Sequence, residues 1–179
     1  MSGAHGWKNQ LVGGWQVSGI FTARSGLPFS VTSGTAFPVG FNFLSPAVLV
    51  GNPNALQQSI HTDATSGQVQ FFADPKAVFN NTPVTLLQGA VRFPQHGEIG
   101  NRNAFRGPGF WELDSVLMKR FPISEKWGSL QLRWEAYNLF NNNAFSIPST
   151  VAITSGSLGV ITTSASSPRE MQFAIRWDF

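Results

Sequence analysis

The chain has 179 residues, 42% hydrophobic, 13% aromatic and only 12% charged, with 18 Gly, 11 Pro and no Cys. Charge at about half the ~25% of soluble domains, with many aromatics, excludes a charge-rich disordered chain, and dispersed Gly and Pro exclude a sustained coiled coil. Lack of Cys excludes disulfides and thiolate metal sites, and a net charge of +3 on scattered Lys and Arg excludes a surface built to follow a phosphodiester backbone.

In chain order, Met1 to Trp7 has neither the basic start nor the following apolar run of a signal peptide. A transmembrane helix needs about 20 mostly apolar residues. The longest stretch free of ionised side chains, 25–62, is broken by Pro28, Pro38, Pro46 and Pro53 and reads as loop. Spanning by strands stays open, because each strand's signal is weak and alternating. Period-two alternation predicts a first strand over 13–24, with Trp15, Val17, Gly19 and Phe21 on one face and Gln16, Ser18, Ile20, Thr22 and Arg24 on the other. Ser25 and Gly26 give a turn signal, a short extension over Phe29, Ser30, Val31 and Thr32 follows, and residues 33 to about 106 of the long connection have no sustained period. Within it, Asp74 to Phe79 predicts a single helical turn with Pro75 at its first position.

A second strand is expected over 110–121, setting Trp111, Leu113, Leu117 and Phe121 against Glu112, Asp114, Met118 and Arg120. After the short polar link 122–128, a third strand over 129–140 sets Leu130, Leu132, Trp134 and Ala136 against Gln131, Arg133, Glu135 and Tyr137. A second long connection covers 141–169. The last strand, 170–179, has the cleanest alternation: Met171, Phe173, Ile175, Trp177 and Phe179 against Gln172, Ala174, Arg176 and Asp178.

Strands of about ten residues match the ~9–11 that cross a bilayer when tilted. Connections running long, short, long match outer-membrane barrels, with long external loops and tight periplasmic turns. The fold expected is all-β: an antiparallel meander of about four long strands with long irregular loops, an incomplete piece of a large transmembrane barrel. Glu112, Asp114, Arg133, Glu135 and Arg176 would line a wet lumen, or Glu112 and Asp114 would pair with Arg133 across the neighbouring strand. Trp111, Trp134 and Trp177 could then sit in interfacial girdles. The alternative is a soluble or secreted β-sandwich binding module, an adhesin or carbohydrate-binding domain, in which Trp7, Trp15 or Trp111 would stack on sugar and the apolar faces would pack together.

The run Gly14-Trp15-Gln16-Val17-Ser18-Gly19-Ile20-Phe21-Thr22-Ala23-Arg24-Ser25-Gly26-Leu27-Pro28-Phe29 is followed by Gly100-Asn101-Arg102-Asn103 and Arg106-Gly107-Pro108-Gly109-Phe110-Trp111. Next come Arg133-Trp134-Glu135-Ala136-Tyr137-Asn138-Leu139-Phe140-Asn141 and the terminal Gln172-Phe173-Ala174-Ile175-Arg176-Trp177-Asp178-Phe179. In this order the set resembles the C-terminal region of TonB-dependent outer-membrane receptors of the Oar-like kind, which carry an N-terminal carboxypeptidase-regulatory-like domain. The resemblance implies a plugged barrel of about 22 strands, importing a scarce nutrient with energy delivered by TonB. This chain would supply its last four strands, lumen wall and two external loops, and would not transport alone. Implied partners are outer-membrane lipid, the remainder of the barrel and plug, the barrel assembly machinery, and TonB through the missing N-terminal part only. Nucleic acid is not among them.

Under the same resemblance Phe173, Ile175, Trp177 and Phe179 form the signal read during barrel assembly, for which strand addition at an open edge supplies a physical basis. His5, His61 and His96 share no metal-ligand spacing. Glu112 and Asp114 lie two apart on one strand face, yet acid–base chemistry also needs a pocket and a displaced pKa. No nucleophile elbow or phosphate loop occurs. No catalytic residue, metal or cofactor is therefore expected, and ligand contacts are assigned only to the regions 33–105 and 142–168.

Overall fold

The computed structural model describes residues 11–34, 45–52, 56, 58–78, 90–95, 97–124 and 126–179. Its strands are β1 (Trp15–Arg24), β2 (Pro28–Phe29), β3 (Val48–Leu49), β4 (Gln58–Thr62), β5 (Val69–Phe72), β6 (Val91–Arg92), β7 (Phe105–Arg106), β8 (Phe110–Ser124), β9 (Gly128–Tyr137), β10 (Val160–Ile161) and β11 (Glu170–Asp178). One helical turn, α1 (Pro75–Val78), opens on the proline whose fixed φ and missing N–H suit that position. His5, His96, Trp7 and Phe79 lie outside the described residues. Contacts divide the chain into two compact units, Met1–Ala23 with Trp111–Asn143 and Ser166–Phe179, and Arg24–Phe110 with Ala144–Ala165.

The first unit is a four-stranded antiparallel sheet in the order β1-β8-β9-β11. Its register puts Leu117, Trp134 and Phe173 in one row, Lys119, Leu132 and Ile175 in the next, and Phe121, Leu130 and Trp177 in a third. The sheet is open: β1 and β11 are its edges and are not paired with each other. Closed bacterial barrels have at least eight strands, so four strands form an arc of one. The sheet therefore has the form of an incomplete piece of a larger barrel.

The strand ends differ from the sequence expectation by one to three residues, most at the ends of β8 and β9. β8 continues past 121 to Ser124 because a register shift between Pro122 and Ser124 absorbs the proline, which has no N–H for the ladder. The Ser124 carbonyl and Oγ then accept the Trp127 N–H at 3.2 and 3.1 Å, closing a short turn. Gly128 follows with φ +72, and a Cβ there would lie 1.8 Å from the Asp178 carbonyl oxygen, so both conformation and space require glycine. At the other end β9 stops at Tyr137, because Asn138 turns left-handed at φ 49.

In the second unit the two long connections fold together rather than remaining irregular. β5 pairs with both β4 and β10, β2 with β7, and β3 with β6. Phe29 and Phe105 are register partners whose rings stack at 5.6 Å, and Phe72 meets Phe105 edge-on at 5.4 Å. Phe71, Val31, Val91, Ile153, Leu158 and Ile161 complete a buried cluster. Such strands escape a period-two search because most are two residues long, and in β5 the neighbours Phe71 and Phe72 are both buried. Beside β6, Arg92 grips Glu98 with two parallel hydrogen bonds of 2.6 and 2.7 Å, and Glu98 also accepts the Gln95 N–H at 2.7 Å.

The Arg92 guanidinium and the Gln95 N–H hold the Glu98 carboxyl down at about 2, against an ordinary value near 4.5. A depressed carboxylate pKa stabilises the fold above the unfolded value and is lost as pH falls through the folded one. Acidification from pH 4.5 to about 2 should therefore release amide-exchange protection in 90–101. Glu98→Gln should show the loss already at pH 7; protection that is flat across this window would contradict the assignment.

Candidate functional site

The sheet has two unlike faces. On the first lie Leu113, Leu117, Phe121, Leu130, Leu132, Trp134, Ala136, Met171, Phe173, Ile175 and Trp177, as parity and register require. Phe173 is 79% and Ile175 74% exposed. A β-sandwich would bury these side chains between sheets; here Leu132, Met171, Phe173, Ile175 and Trp177 are exposed, and of the face only Ala136 and Lys119 are buried. Apolar side chains covering a sheet face this completely are what a lipid-exposed wall presents and what a soluble surface avoids.

Aromatic rings mark both ends of this face. At the end of the short turn lie Trp15, Phe121 and Trp177, and the Trp177 indole N–H donates to the Trp127 carbonyl at 2.8 Å. At the opposite end Trp111 contacts Phe21 and Phe140 at centroid distances of 6.4 and 6.0 Å. From Trp111 to Phe121 is ten residue steps, or about 33 Å at ~3.3 Å each. A strand tilt of about 40° projects this to about 25 Å, the height of the apolar band between two aromatic girdles. Trp134 does not join a girdle as the sequence reading allowed. It sits four residues above the lower rim, in the row of Leu117 and Phe173, stacked on Phe173 at 6.5 Å with its indole N–H buried and unpartnered. Alternation assigns a face; depth becomes visible only through register.

The opposite face carries Glu112, Asp114, Arg120, Gln131, Arg133, Glu135, Gln172 and Arg176, including all five side chains expected on a lumen wall. Arg133 stands opposite Met118 and pairs along its own strand with Glu135, rather than across with Glu112 or Asp114. Antiparallel register explains the difference, since Asp114 lies one step beyond the Ser115–Ala136 pair, too far along the sheet from Arg133. Glu135 also accepts from Gln172 and from the Tyr137 hydroxyl. Glu112, Asp114 and Glu135 stand toward the long connections, and Arg120, Arg133 and Arg176, with Asp178, toward the short turn. Arg120 donates to Ser129 Oγ at 2.9 Å and Arg176 to Asp178 at 2.7 Å.

The four residues expected as an assembly signal fall on edge strand β11 and just beyond it. Phe173, Ile175 and Trp177 point to the apolar face opposite Trp134, Leu132 and Leu130, and the Phe179 ring lies 6.3 Å from that of Trp177.

Two residues carry more of the structure than their sequence context disclosed. Asn138, 4% exposed, donates its N–H to Asp114 at 2.9 Å and its side-chain amide to the carbonyls of Ser167 and Asn142, while its Oδ1 accepts the Asn142 N–H. Asn142 in turn donates to the Trp111 carbonyl at 2.8 Å. This network ties β8 and β9 to the segment entering β11. The run Asn141-Asn142-Asn143 marked a strand end, without marking which amide is buried. The second is Lys119, an ammonium on the apolar face where alternation calls for a hydrophobe.

A family described as an outer membrane beta barrel domain matches residues 1–172. No curated protein and no solved structure matches the chain.

Charge on the two faces should have opposite consequences. In lipid–detergent bicelles, Phe173→Arg at mid-height of the apolar face is expected to destabilise the sheet by about 2–4 kcal/mol, and Gln172→Arg beside it by under about 1. Urea unfolding followed by Trp fluorescence measures both. Equal effects would contradict the assignment of faces.

Proposed function

The chain belongs to the outer membrane beta barrel domain family, and from that premise we propose that it is the C-terminal part of a TonB-dependent receptor of the Oar-like kind. The bacterial outer membrane is its location. In this reading β1, β8, β9 and β11 form lumen wall and the two long connections are external loops serving uptake of a nutrient. The ordered set of segments from Gly14 to Phe179 is the observation that carries it. Strand direction supports it: with the short connection between β8 and β9 in the periplasm, both long connections emerge on the outer side. Transport requires the remaining strands, the plug and the energy-coupling segment, so the chain performs no transport cycle by itself. Its partners are lipid, the rest of the barrel with its plug, the assembly machinery through β11, and TonB through the N-terminal part. The reading assigns it no enzymatic step and no cofactor.

The discriminating observation is the reading frame upstream of the Met1 codon. The proposal expects it to continue in frame through further alternating strands, a plug and an energy-coupling segment. A stop codon directly upstream would overturn the receptor assignment and leave an outer-membrane strand unit that must close by self-association.

A further inference from the structure

Lys119 is the only ionised side chain that β8, β9 and β11 place on the apolar face, and it is 3% exposed. An ammonium has three donors. Two of them go to backbone carbonyls, of Leu11 at 3.1 Å and of Gly13. The Trp15 and Phe121 rings flank it at 4.9 and 5.2 Å, and the Trp15 indole N–H donates to the same Leu11 carbonyl at 2.8 Å. No carboxylate of the described residues pairs with it, and residues 1–10 contain neither Asp nor Glu. A desolvated cation held only by dipoles is stabilised further by an anion, and the low-dielectric surroundings strengthen that attraction.

The position of this cation identifies the anion. It borders an apolar groove formed by Trp15, Leu117, Phe121, Trp134, Phe173 and Ile175. The groove runs from mid-height of the lipid face down to the aromatic rim at the short-turn end, where headgroups lie. Its walls are apolar, and the one Lys119 donor not committed to a backbone carbonyl is the donor that a phosphate at the rim would take in a charge-assisted hydrogen bond. We propose that Lys119 and this groove form a binding site for one anionic phospholipid of the periplasmic leaflet, with the phosphate on Nζ and one acyl chain between Trp15 and Phe173. This rests on the barrel reading of the sheet and adds a specific lipid to it.

The test equilibrates the full chain in maltoside micelles with equimolar phosphatidylglycerol and phosphatidylcholine, then measures retained lipid by native mass spectrometry. A preference for phosphatidylglycerol of about fivefold is expected, the effect of one Lys at an anionic surface. Lys119→Gln should abolish it. Lys119→Arg should keep it, as should Lys126→Gln, which removes a charge from the exposed turn. Inorganic phosphate alone should not displace the lipid. An unchanged preference in Lys119→Gln, or an equal loss in Lys126→Gln, would overturn the site and leave the barrel intact. Retention of neither lipid would overturn the lipid-facing reading of the sheet together with the site.

Discussion

Inside hydrocarbon a strand has nowhere to place its N–H and C=O groups except on another strand. That constraint governs the whole first unit. β8 and β9 satisfy it on both sides, whereas β1 and β11 each turn one row of backbone groups away from the sheet. Gly128, with a backbone only glycine adopts freely, packs against the Asp178 carbonyl and lets β11 pair along the full length of β9. A further row of strands on each edge is what the physics of the bilayer asks of this arc, and barrel closure is how membrane sheets supply it.

With the backbone satisfied, the side chains are free to specialise by face and by depth. The apolar face is bounded by Trp15, Phe121 and Trp177 at one end and by Phe21, Trp111 and Phe140 at the other. On the polar face Arg133 pairs with Glu135 and Arg176 with Asp178, each within its own strand rather than across the sheet. Lys119 is the exception that the rim allows. Its aliphatic stem lies along apolar surface while its ammonium reaches backbone carbonyls at the end of the band, as long cationic side chains do near an interface.

The sequence disclosed faces well and depth poorly. Strict alternation in 170–179 and 129–137 was legible because one face of each strand is uniformly apolar, and the five polar residues expected to share a face do share one. Trp134 shows the limit: its face was readable, but its mid-height position follows from pairing with Leu117 and Phe173, which needs the register of neighbouring strands. The Arg133 partner, Glu135 on its own strand, likewise depends on register. In the second unit the limit is length. Two-residue strands such as β2 and β7 have no measurable period, yet Phe29 and Phe105 stack across them and centre a core that the sequence showed only as scattered aromatics.

The central claim is that β11 alternates between hydrocarbon and water, residue by residue. The absence of native Cys permits single cysteines at 171 to 177 without background. Spin labels at these positions in lipid bicelles, probed by collision with oxygen and with a water-soluble nickel chelate, measure the claim directly. The account predicts high oxygen and low nickel accessibility at 171, 173, 175 and 177, and the reverse at 172, 174 and 176. Uniform accessibility, or an alternation of opposite phase, would contradict it.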